Sequence, residues 1–94
     1  MGLEELREEI TKIDDQIICL IATRQDVARR IGLLKAAEGL PVHDESRVKN
    51  VLSHAYDLAV ENNVNPVEVQ RIIEILIEMS EERQYEWLGE GNLP

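Results

Sequence analysis

Leucines and isoleucines recur along the first third of the chain at alternating intervals of three and four: Leu3, Leu6, Ile10, Ile13, Ile17 and Leu20, then Val27, Ile31 and Leu34. That alternation is the seam of a helix packed on another helix. No proline interrupts it before Gly39-Leu40-Pro41. A helix of about 36 residues at ~1.5 Å per residue measures ~54 Å. Asn62-Asn63-Val64-Asn65-Pro66 breaks the chain a second time. The segments 44–62 and 66–88 then predict helices of only ~28 and ~35 Å by the same rise. No segment shows strand-like alternation. The expected fold is all-α, with three helices per chain, one very long and two shorter. Residues 1–88 form one helical domain, and 89–94 (Gly-Glu-Gly-Asn-Leu-Pro) a flexible tail.

Two short helices cannot cover so long a seam. The economical solution is a second copy, with the long helices crossing in an intertwined homodimer. The alternative is a monomeric bundle whose first helix kinks at Gly32. The core must be aliphatic in either case, because aromatics are 3% of the 94 residues and Phe is absent.

Charge removes several classes of function. Ten Lys and Arg against 19 Asp and Glu give a formal net charge of −9, which repels a phosphate backbone. No apolar run approaches the ~20 residues that span a bilayer. Charges throughout the first fifteen residues argue against a cleaved signal peptide. The single cysteine, Cys19, allows neither an intrachain disulfide nor a cysteine metal cluster, and His43 with His54 makes no convincing zinc site. A cytoplasmic protein without metal is the expectation.

The shorter helices carry start signals. Asp44 is placed to cap the second, and Asn65 followed by Pro66 to start the third. Their apolar stripes read Val48, Val51, Leu52, Ala55, Leu58, Ala59, and Val69, Ile72, Ile73, Leu76, Ile77. Polar residues interrupt the stripes. Arg24 stands on the first seam between Leu20 and Val27, where an unpaired guanidinium costs several kcal/mol. Lys35, eleven residues on, returns to within about 20° of the same face, with Ile31 between them. Ser80 and Gln84 continue the line of Ile73 and Ile77. Each has a bland reading: a register-fixing ion pair for Arg24, a snorkelling Lys35, a stripe surfacing at Ser80 and Gln84. Taken together they describe a pocket that binds and polarises an anion. No His, Cys or carboxylate on those stripes could act as nucleophile or base. Arg7 lies about 25 Å along the axis from Arg24, too far for the same pocket in one chain. It is either an exposed first-turn arginine or a residue reaching a partner's pocket.

These residues resemble the all-helical class of chorismate mutases. The resemblance runs through Leu6-Arg7-Glu8-Glu9-Ile10-x-x-Ile13-Asp14, Ile21-Ala22-Thr23-Arg24-Gln25, Ile31-Gly32-x-x-Lys35, Pro41-Val42-His43-Asp44-x-x-Arg47 and Ile77-Glu78-x-Ser80-x-x-x-Gln84. It implies an intertwined dimer with two sites that turn chorismate into prephenate, in the shikimate-derived route to phenylalanine and tyrosine, without cofactor or metal. It further implies that Arg24 and the other subunit's Arg7 hold the two substrate carboxylates, with Ser80 assisting. Lys35 would reach a carboxylate and the breaking ether oxygen, and Gln84 would donate to that oxygen. Arg47 would add positive potential, Asp44 would meet the ring hydroxyl, and Ile31 and Ile77 would form apolar walls. Val48 departs from the pattern, since bacterial members have there a glutamate that accepts from the ring hydroxyl. Related isochorismate-pyruvate lyases resemble this chain at that position, so a lyase is one alternative. A non-catalytic helical dimerisation module is another.

Overall fold

A computed structural model of the chain describes residues 2–87. It contains three helices: α1 (Leu3–Glu38), α2 (Glu45–Glu61) and α3 (Pro66–Trp87). Among the described residues there is no strand. The expected tail, residues 89–94, lies outside them.

Local chemistry accounts for the boundaries. Helix α1 begins with Glu4 and Glu5 in its first turn and has Lys35 in its last, both signs complementing the helix dipole. It ends at Gly39, whose φ of 68° is the left-handed conformation suited to glycine, and there the Leu40 amide donates to the Lys35 carbonyl at 2.9 Å. The Asp44 carboxylate caps α2 by accepting from the Arg47 amide at 3.2 Å. Asn65 Oδ1 accepts from the Val67 and Glu68 amides at 3.0 and 3.1 Å, starting α3 with Pro66 in its first position.

Helix α1 runs continuously through Gly32, so the kinked bundle is not the architecture. The molecule is 54 Å along its longest axis. Helix α3 packs on both other helices, while α1 and α2 make no direct backbone approach. This leaves a space between the C-terminal half of α1 and the start of α2, floored by α3.

Among the described residues the core is small: Ala28, Val42, Ala55 and Ala59 are its buried apolar side chains, and no large side chain is fully enclosed. Every residue from Gly2 to Leu20 is exposed. Seam residues Ile10, Ile13 and Ile17 are 58%, 49% and 50% accessible. The radius of gyration, 16.6 Å, exceeds the ~12 Å of a compact chain this long. Two residues expected on inward stripes, Leu58 and Ile72, are exposed, Leu58 at a groove between α2 and α3. Among the described residues no third helix passes over either of them.

Candidate active site

The space between the helices is a cavity of about 440 Å³, within the range of small-molecule sites. Helix α1 contributes Arg24, Ile31 and Lys35; the loop contributes Val42 and Asp44. Arg47 and Val48 enter from the first turns of α2, and Ile77, Ser80 and Gln84 from α3. Nine of the ten residues singled out from the sequence therefore line one space. The tenth, Arg7, does not; its guanidinium pairs with Glu4 at 2.9 Å on the exposed start of α1.

Arg24, Lys35 and Asp44 are held by their surroundings. Arg24 donates to the Leu76 carbonyl at 2.7 Å and to the Ser80 hydroxyl, which itself donates to Leu76 at 2.9 Å. Burial, and then the nearby positive charge of Arg47, push the Arg24 guanidinium below its ordinary pKa. Two guanidinium groups held close, one of them partly desolvated, favour an anion between or beside them. Lys35 Nζ donates to the Val42 carbonyl at 2.7 Å, which ties it to the loop leading into α2. Among the described residues, none of Arg24, Lys35 and Arg47 makes an ion pair with a carboxylate. The register-fixing ion pair is thus not the reason for Arg24. Asp44 is occupied at the helix start, accepting from the Ser46 hydroxyl at 2.8 Å as well as from Arg47. Its carboxyl lies below the usual range, first through the Ser46 bond and then through the Arg47 amide.

Gln84 is 7% exposed, and its Oε1 is buried with no hydrogen-bond partner among the described residues. Leaving such an atom unpaired costs about 1–3 kcal/mol. The same amide carries two N–H donors beside the cavity. What brings it there is Gly32, whose missing Cβ lets α1 approach the α3 backbone.

Sequence reasoning missed one charged lining residue, Glu81. Its Oε1 meets His43 Nδ1 at 2.7 Å, while His43 Nε2 meets Glu45 Oε2 at 2.9 Å. The bonds to Glu45 and then Glu81 raise the His43 pKa. Glu81 sits four residues after Ile77 and three before Gln84, at the edge of the same face, but its neighbours Glu78, Glu82 and Glu86 disguise it as one more solvated acid. The remaining lining is apolar, with Val27, Ala28 and Val51 beside the two isoleucines. Among the described residues no cluster of His, Cys, Asp and Glu has metal-site geometry. No described helix is long and apolar enough to cross a membrane.

The family model for chorismate mutase type II matches residues 6–85. The chain belongs to that family. A chorismate mutase from Methanocaldococcus jannaschii is 34% identical over 88 residues, covering 94% of this chain and 89% of that protein. A bifunctional chorismate mutase/prephenate dehydratase from Aquifex aeolicus is 41% identical over 49 residues, 52% of this chain but 14% of the larger protein. Among solved structures, a conserved hypothetical protein from Pyrococcus furiosus matches with a TM-score of 0.72 at 36% identity, covering 87% of this chain and 93% of that one. Every cavity residue named above lies inside the span matched by the type II chorismate mutase model.

Proposed function

We propose that this type II chorismate mutase rearranges chorismate to prephenate in aromatic amino acid biosynthesis, acting in the cytoplasm as a homodimer. The observation that carries the reading is the convergence on a single, mostly apolar cavity of three cations that, among the described residues, make no ion pair, together with the buried amide of Gln84. The substrate is a dianion. In the reaction its ether C–O bond breaks as a C–C bond forms within the same molecule, and negative charge gathers on the departing oxygen. No proton leaves or enters, which suits a cavity whose cationic and amide groups are donors.

Arg24 and Ser80, already joined to one another, hold one carboxylate, and Arg47 adds positive potential at the cavity edge. Lys35 and Gln84 donate to the ether oxygen, where their bonds strengthen as charge builds; this is differential stabilisation of the transition state. Ile31 and Ile77 press the side chain over the ring, so that much of the entropy of alignment is lost on binding and not in the chemical step. Asp44 meets the ring hydroxyl through its backbone N–H, as a donor.

The open seam of α1 supports the second copy. Apolar side chains from Leu3 to Leu20 need a cover that α2 and α3 of the same chain do not supply. A crossing α1 would cover them and carry Arg7 of the partner subunit towards the second carboxylate. The test is an assay of purified protein with chorismate and with isochorismate, identifying the product, alongside sedimentation to obtain the mass in solution. Prephenate from chorismate and a dimeric mass are expected. Salicylate and pyruvate from isochorismate, or no turnover of either compound, would overturn the assignment.

A further inference from the structure

A carboxylate on the wall of a cavity for dianions is an electrostatic contradiction. Glu81 lies one position beyond Ser80 and one turn before Gln84, and it lines the same space as Arg24, Lys35 and Arg47. His43 meets one of its oxygens, and the other repels both substrate carboxylates unless the substrate brings it a donor. The only donor on a chorismate dianion is the hydroxyl of its ring.

Gln84 Oε1 is an open acceptor, but it belongs to the amide placed at the ether oxygen, and three other acceptors of the cavity already take hydrogen bonds. The Val42 carbonyl takes Lys35, the Leu76 carbonyl takes Arg24 and Ser80, and Asp44 Oδ1 takes the Arg47 amide and the Ser46 hydroxyl. Val48, on the adjoining turn of α2, offers no acceptor in its side chain. Glu81 is different. Its Oε1 receives His43, and among the described residues its second oxygen takes no hydrogen bond.

His43 gives that carboxylate a fixed position. The ring bridges α3, through Glu81 at 2.7 Å, and the first turn of α2, through Glu45 at 2.9 Å. The charged groups around it are these two carboxylates, the neighbouring Asp44, and Lys35, which is bonded to the preceding residue. With a proton on each nitrogen the imidazolium donates to both glutamates. It offsets part of the Glu81 charge and spares the side chain most of the ordering that binding would otherwise require.

We infer that Glu81 accepts the hydrogen bond of the substrate's ring hydroxyl, and that His43 is the positioning residue that holds it in place. The inference rests on the mutase reading given above. Glu81 thus determines specificity for the ring substituent, leaving the rearranging atoms to Lys35 and Gln84.

The experiment compares chorismate with its analogue lacking the ring hydroxyl, on the unmodified protein and on Glu81→Ala, Glu81→Gln and His43→Gln. A hydrogen bond to a charged group corresponds to roughly ten- to a hundredfold. Glu81→Ala should lower kcat/KM for chorismate by about that factor while leaving the deoxy analogue unchanged or faster. Glu81→Gln should fall between, since its amide oxygen still accepts. His43→Gln should reduce the preference for the hydroxyl and make that preference independent of pH, which simple loss of packing would not do. Equal losses for both substrates in the Glu81 variants, or an unaltered preference, would overturn the inference while leaving the mutase assignment intact. No chorismate turnover by the unmodified protein would overturn both.

Discussion

Gly32 of α1 lies against the backbone of Gln84 of α3, so closely that a Cβ built at Gly32 would stand 2.9 Å from Gln84 Cα. The contact ties the geometry of the site to helix packing. Gly32→Ala must push α3 outward and move the Gln84 amide with it. Overpacking of this kind costs about 1–3 kcal/mol. The variant should melt at lower temperature and turn over chorismate more slowly. By contrast, Gly39→Ala, with open space around its Cβ, should lose only stability, because of the positive φ there. Thermal melts combined with steady-state kinetics separate the two effects.

Lys35 and Arg24 are expected to dominate turnover. Donors aimed at developing charge are typically worth ~3–4 kcal/mol, or about two to three orders of magnitude in kcat. Lys35→Ala and Arg24→Ala should each lose activity on that scale. Arg24→Ala also leaves the Leu76 carbonyl with one donor fewer, so its melting temperature must be measured too. A rate near that of the unmodified protein in either variant would remove the residue from the site.

Gln84 is a neutral donor, and nothing in its proposed role titrates. In Gln84→Glu only the protonated acid can donate. The position is buried, which raises a carboxyl pKa. Activity should therefore be retained in acid and fall as pH rises through that raised value. An unchanged pH profile would show that Gln84 does not donate to the ether oxygen.

The His43 bridge has a predictable pH response. Its pKa in the folded chain is raised by Glu45 and then Glu81. Its contribution to joining α2 and α3 is therefore complete below the ordinary histidine pKa of about 6.5 and is lost as pH rises through the higher folded value. Asp44 runs the other way: its lowered carboxyl pKa means that its capping contribution disappears as pH falls through the folded value. An NMR titration of the His43 ring should give a midpoint above 6.5 that falls in Glu81→Gln.

The long helix, its unbroken passage through Gly32 and the caps at Asp44 and Asn65 were legible because period and cap chemistry are local. So was the convergence of Arg24, Lys35, Ser80 and Gln84, each a polar residue on an apolar line. Glu81 was not. Among Glu78, Glu82 and Glu86 it reads as one more solvated acid, and only the loop that carries His43 across to α3 singles it out. Leu58 and Ile72 misled for a related reason: a stripe shows which residues share a face, but not whether this chain or another covers it.

Residues Leu3–Leu20 of α1 draw almost nothing from the rest of the described chain. Short isolated helices in water are marginal. Diluted until copies separate, that arm should exchange its amide hydrogens as a free peptide does, while the stretch around Gly32 stays protected. Half of one helix would then report, hydrogen by hydrogen, whether the molecule is alone.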